Sequence, residues 1–171
     1  KTVRLWDITG EGAPSLTRIL RPPADPGAEG KLYSVAISPD GTTVACSGWT
    51  GQEWEGKTSI YLFDRATGAM KKRLAGLPGR ALQLVYSPDG RFMAAVMTSG
   101  GMRLYGLPDY TVLGGDRDYG ELAAFAQFDP KGQRLVTICQ RDGFIRLYDL
   151  KEFETPSPTP RPMKPQAKVR V

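Results

Sequence analysis

Apolar and polar residues alternate along this chain in short runs, the period of a half-buried strand. The clearest run is Phe144-Ile145-Arg146-Leu147-Tyr148-Asp149, which closes on an aromatic and an acid. Three relatives precede it: Thr2-Val3-Arg4-Leu5-Trp6-Asp7, Ser59-Ile60-Tyr61-Leu62-Phe63-Asp64 and Gly101-Met102-Arg103-Leu104-Tyr105-Gly106. Counted between Asp7, Asp64, Gly106 and Asp149, they recur at intervals of 57, 42 and 43 residues. A turn signal recurs in phase with them as Ser38-Pro39-Asp40-Gly41, Ser87-Pro88-Asp89-Gly90 and Asp129-Pro130-Lys131-Gly132. In such a turn proline presets one dihedral and glycine accepts a positive one.

A period of about 40 to 45 residues built from short strands predicts the blades of a β-propeller. The fold class expected is all-β, a propeller of about three and a half four-stranded blades forming an incomplete ring, because closed rings need about four to eight. Residues 1–20 supply a half blade, its third and fourth strands at 2–7 and 16–20. Residues 21–76 make a blade with enlarged loops, with strands at 32–38, 44–47, 59–64 and 70–74. Residues 77–116 make a compact blade (82–86, 92–97, 102–105, 110–113), and 117–150 a blade of three strands (122–128, 134–139, 144–148). A proline-rich loop at 151–166 follows, then a candidate closing strand at 167–171 with alternating valines and cations. Pro156, Pro158, Pro160, Pro162 and Pro165 favour an extended polyproline segment, read as a stiff spacer ahead of a ligand for an aromatic groove.

Composition narrows the chemistry. The net charge is +5, but the segment from Lys151 onward carries +3 of it, so the body is close to neutral. That distribution fits a solvated tail rather than a nucleic-acid surface. No histidine occurs, so serine–histidine and cysteine–histidine catalysis cannot be completed within this segment. Cys46 and Cys139 fall on equivalent second strands two blades apart, beyond the reach of a disulfide. No apolar run approaches the ~18 residues of a membrane helix. The chain opens at Lys1 in mid-repeat, so any leader of a parent protein would lie upstream.

Loop lengths single out one place. Asp7 to Pro39 spans 32 residues, whereas Asp64 to Pro88 and Gly106 to Pro130 each span 24. The connection between the second and third strands of the same blade is longer than its counterparts by six or seven residues. An antiparallel blade sends both connections to one rim. The loop between the second and third strands holds Trp49 and Trp54, and Arg80 and Tyr119 begin the neighbouring blades on that rim. Tryptophan, tyrosine and arginine are the side chains most enriched at binding hot spots, so Trp49, Trp54, Arg80 and Tyr119 form the candidate partner-binding set. The competing outcome is that Trp49 or Trp54 folds back to plug its own loop. Asp116, Asp118 and Glu121 cluster near another loop, but no metal-ligand spacing is met and a solvated acidic turn is the reading kept. No catalytic, cofactor-binding or metal-binding residue is expected, and no cofactor.

These features resemble the WD-repeat β-propellers over nearly all of residues 1–150: Val3-Arg4-Leu5-Trp6-Asp7 matches the strand end that gives the repeat its name, and Phe63, Tyr105 and Tyr148 keep the aromatic. The resemblance implies that Trp6 packs in the core. It also implies a side-chain network of histidine, aspartate, hydroxyl and tryptophan. Here Asp142, Thr137 and Tyr148 occupy three of the places and the imidazole is missing, and Gly106 replaces a strand-end aspartate. At the level of phrases, Ile19-Leu20-Arg21-Pro22-Pro23, Gly30-Lys31-Leu32-Tyr33, Gly48-Trp49-Thr50-Gly51 and Tyr61-Leu62-Phe63-Asp64-Arg65 are similar to bacterial WD-repeat proteins that carry a caspase-like peptidase domain. None of that domain's catalytic residues has a counterpart here. The resemblance implies a non-catalytic protein-interaction scaffold in the bacterial periplasm or cytoplasm. The alternatives are a regulatory or sensor propeller of a caspase-like signalling or defence protein, and a propeller enzyme with a carboxylate metal centre. Its expected partners are proteins, and further blades from the same polypeptide or another copy; neither a nucleic acid nor a membrane span is expected.

Overall fold

The computed structural model describes residues 1–50, 58–119, 123–155 and 157–170. Strands β1 (Val3–Asp7) and β2 (Ser15–Leu20) pair as a two-stranded half blade. The first full blade is β3 (Lys31–Ile37), β4 (Thr43–Trp49), β5 (Thr58–Asp64) and β6 (Met70–Leu77), antiparallel in chain order. The second is β7 (Ala81–Tyr86), β8 (Phe92–Met97), β9 (Met102–Gly106) and β10 (Thr111–Asp116). The third has β11 (Ala123–Phe128), β12 (Arg134–Cys139) and β13 (Phe144–Asp149), with β15 (Ala167–Arg170) as its fourth strand. The protein is all-β, with four-stranded antiparallel blades consistent with a β-propeller in which no ring closes among the described residues.

The turns explain the common shape of the blades. Gly41, Gly90 and Gly132 hold φ of 71°, 74° and 67°, and each donates its N–H to the carbonyl three residues earlier, on Ser38, Ser87 and Asp129. The Ser38 and Ser87 hydroxyls also accept the N–H of Thr43 and Phe92, both at 2.9 Å, which starts the second strand.

Packing between blades follows one rule. The strand-end aromatic faces the preceding blade, while its neighbours in the alternation face the following one. Phe63 and Tyr61 lie with Val3 and Leu20 of the half blade, Tyr105 with Ile60 and Leu62, and Tyr148 with Leu104 and Phe92. The same rule corrects the expectation for Trp6. No preceding blade covers β1 among the described residues, so Trp6 is 50% exposed where Phe63, Tyr105 and Tyr148 are buried. Val35 and Ile37 of β3 are exposed for a related reason: the half blade covers β4 and β5 but has no inner strands to cover β3. At the other end the mirror face is bare. There Phe125, Ile138, Ile145 and Val169 stand opposite one another across the four strands of the third blade.

The proline-rich segment does more than span a gap. After a short 3₁₀ turn (Lys151–Phe153) whose Phe153 is buried, β14 (Arg161–Pro162) pairs parallel with β10 on the edge of the second blade. Proline is tolerated there because an edge strand can leave its missing donor on the outer side. The Met163 N–H then donates to Gly115 O at 2.9 Å, and the Met163 side chain is buried in the core between the second and third blades. The chain next crosses to β13 and pairs as β15, with Phe144 opposite Arg170 and Leu147 opposite Ala167. Gly114 makes this docking possible, since a Cβ there would stand 2.5 Å from Arg161 O and 2.9 Å from the Phe153 ring. The spacer expected from the sequence is thus a strap over two blade edges.

Among the described residues, no helix is long and apolar enough to cross a membrane. Cys46 and Cys139 are both buried and are not joined in a disulfide; the Cys139 thiol donates to Tyr119 O at 3.0 Å, and burial pushes the Cys46 thiol up to about 12.

Candidate functional site

The antiparallel order of the blades puts the β4–β5 and β6–β7 connections on the same rim, and there the structure brings two of the expected residues together. Trp49 ends β4, in register with Lys31 of β3, and is half-buried. Arg80 precedes β7 of the next blade. Its guanidinium carbon lies 4.2 Å from the Trp49 ring centroid and 6.0 Å from that of Tyr33, which is half exposed. A cation over an aromatic face at such distances is attracted by the ring quadrupole.

The backbone under this stack is fixed. The Arg80 N–H donates to Thr98 Oγ1 at 3.1 Å, and Arg80 O accepts from the Thr98 N–H at 2.9 Å. The Thr58 hydroxyl donates to Gly79 O at 2.6 Å, and a Cβ on Gly79 would meet Ser99 Oγ at 2.4 Å. On the other side Trp49 O accepts the Gly30 N–H at 2.6 Å. Tyr33 was not singled out from the sequence, where it reads as one more alternating strand position. The break in register between Leu32 and Ser34 beside it is invisible to the pattern.

Trp54 lies outside the described residues. Tyr119 is corrected: it is fully buried, so its phenol is not presented on the rim. The Tyr119 hydroxyl lies 2.5 Å from Thr137 Oγ1 and 2.8 Å from the Tyr148 hydroxyl, which donates to Asp116 Oδ2 at 2.6 Å. Because Tyr148 spends its proton on a carboxylate, it accepts from Tyr119, and Tyr119 accepts from Thr137. Tyr119 therefore links Thr137 and Tyr148, two of the residues expected to share a side-chain network. The available signal was a network one member short, in the very blade that this tyrosine begins.

Burial pushes the Tyr119 phenol up to about 12, and burial, the neighbouring Tyr119 and the Asp116 carboxylate hold Tyr148 further above its ordinary range. Asp142 pairs with the buried Arg146, which also donates to Asp118 O at 2.5 Å and lies 4.3 Å over the Tyr119 ring. The Arg146 hydrogen bond holds the Asp142 carboxyl below its usual range.

The acidic cluster has other engagements. Asp116 accepts from Tyr148 and from the Asp118 N–H, and Asp118 lies 3.3 Å from Lys168 Nζ; Glu121 lies outside the described residues. Among the described residues, no group of three or more acids or cysteines is placed to hold a metal ion.

The repeat phase, the blade topology and the third-strand aromatics all meet in the first full blade. Residues 23–52 match the family described as WD domain, G-beta repeat. This WD repeat contains β3, its turn and β4, and so includes both Tyr33 and Trp49. No curated protein matches the chain. WD repeats typically build non-catalytic scaffolds for protein–protein interaction.

Proposed function

We propose that this chain is a non-catalytic protein-interaction scaffold, part of a larger WD-repeat propeller, and that Trp49 and Arg80 form its partner-binding surface together with Tyr33. The observation that carries the reading is the stack itself. An arginine held 4.2 Å over a half-buried tryptophan, with a half-exposed tyrosine alongside, joins the three hot-spot residue types on one rim. The bare faces at Trp6, Val35 and Ile37 and at Phe125, Ile138 and Ile145 support the rest, because apolar sheet faces of this kind are ordinarily covered by neighbouring blades. A regulatory role beside a caspase-like peptidase rests on short sequence phrases alone, and nothing in the geometry favours it over the plain scaffold.

The test is affinity capture with the wild-type protein and with Trp49→Ala/Arg80→Ala, both checked by circular dichroism. A protein held by the wild type and lost from the double variant is the expected result. Equal capture by the two folded proteins removes the rim from the account.

A further inference from the structure

We infer that the stack of Arg80 on Trp49 and Tyr33 is a carboxylate-recognition site, and that the segment it takes from a partner is an acidic peptide. This deepens the rim reading above and rests on it. A guanidinium whose carbon is held 4.2 Å over an indole ring carries its N–H donors in a planar fork, and that fork matches the two oxygens of a carboxylate. Other guanidiniums held against the fold spend their donors on it: Arg91 on Asp89 and Glu154, Arg103 on Gly76 O, Arg146 on Asp142 and Asp118 O, Arg161 on Glu152 O and Thr155 O. Among the described residues, the Arg80 side chain has its aromatic contacts and no hydrogen-bond acceptor or ion pair.

Three further features point to the same ligand. The two hydrogen bonds to Thr98 fix the Arg80 backbone before any partner arrives, which lowers the ordering cost of binding. Exposed Lys31, in register with Trp49, places a second cation at the same end of the sheet. The exposed parts of Tyr33 and Trp49 offer apolar contact beside the charge, which suits an acidic residue flanked by an apolar one. A nucleic acid would call for a row of cations tracking its phosphates; here two stand beside two aromatic rings.

A random-sequence, unphosphorylated peptide display library panned on the wild type, Trp49→Ala, Arg80→Gln and Arg80→Lys tests this. The expected result is enrichment of Asp or Glu next to an apolar residue on the wild type. A selected peptide should bind Arg80→Gln roughly tenfold or more weakly, with Arg80→Lys between the two because it keeps the charge and loses the fork. Enriched peptides that depend on Trp49 but carry no acidic bias overturn the carboxylate inference and leave the rim as a binding surface. Acidic peptides that bind Arg80→Gln as well as the wild type overturn the inference likewise. Peptides that all bind Trp49→Ala unchanged overturn both.

Discussion

Replacing Tyr148 with phenylalanine isolates one hydroxyl at the centre of the chain Thr137, Tyr119, Tyr148, Asp116. The ring keeps its place against Leu104 and Phe92, so the packing term is nearly unchanged. Two polar consequences remain. Asp116, only 5% exposed, loses a 2.6 Å donor and keeps the Asp118 N–H at 2.7 Å; a hydrogen bond to a charged group is worth about 1.5–3 kcal/mol. Tyr119, fully buried, loses the acceptor for its proton, which adds about 1 kcal/mol. The expected destabilisation is therefore about 3 kcal/mol. Tyr119→Phe removes neutral links only, to Thr137 and Tyr148, and should cost roughly half as much. Because the two hydroxyls share one chain, the double variant should cost less than the sum, by at least ~0.5 kcal/mol. Urea unfolding followed by near-ultraviolet circular dichroism reads all three as midpoint shifts at constant slope. Tyr119→Phe proving more damaging than Tyr148→Phe, or strict additivity, would refute the proton order Thr137 to Tyr119 to Tyr148 to Asp116.

Gly114→Ala should lift the strap, since the new Cβ meets Arg161 O at 2.5 Å; limited proteolysis should then cut within 157–166 while the blades stay intact, and unchanged resistance would count against the docking. The Asp40 carboxyl, held at about 2 by the Ser38 hydroxyl and by the N–H and hydroxyl of Thr42, lies below its ordinary 3.8. A depressed folded value means that its stabilising effect is complete above about 4 and is lost as pH falls toward about 2; a carboxyl ¹³C titration placing Asp40 at its ordinary value would remove that effect. Copies of the chain should associate through the bare end faces, and Phe125→Lys/Ile138→Lys should lower the mass seen by light scattering, because Phe125 is 62% exposed directly opposite Ile138; an unchanged mass would clear that face of any part in association.

What the sequence made legible was whatever depends on local periodicity. The alternation of Phe144 to Tyr148 and the Ser-Pro-Asp-Gly turns place strands to within a few residues, because side-chain period and turn dihedrals are local properties. Trp6 defeated the same logic: its alternation is correct, but its burial depends on a blade in front of it. Tyr119 failed for the opposite reason, as a loop position whose phenol is claimed by Thr137 and Tyr148, 18 and 29 residues away. At the rim, Trp49 and Arg80 were nominated by loop length and residue type, whereas their contact is a distance between blades that no local pattern encodes. The strap was hidden because proline argues against strands, and the pairing here needs only the carbonyl side of Arg161 and the N–H of Met163.

That strap also ties the fates of two blades. In a ring of repeats each unit ordinarily feels its neighbours only through the faces they share. Here the strand that completes the third blade is reached through a strand and a buried methionine seated on the second, so neither outer edge is independent of the other. Fluctuations that open these edges should share a single free energy and behave as one cooperative unit. Among the described residues the hairpin of β1 and β2 has no such strap and rests on the first full blade through Val3, Leu20 and the Arg18 hydrogen bond to Thr67 O, so it should open separately from that unit.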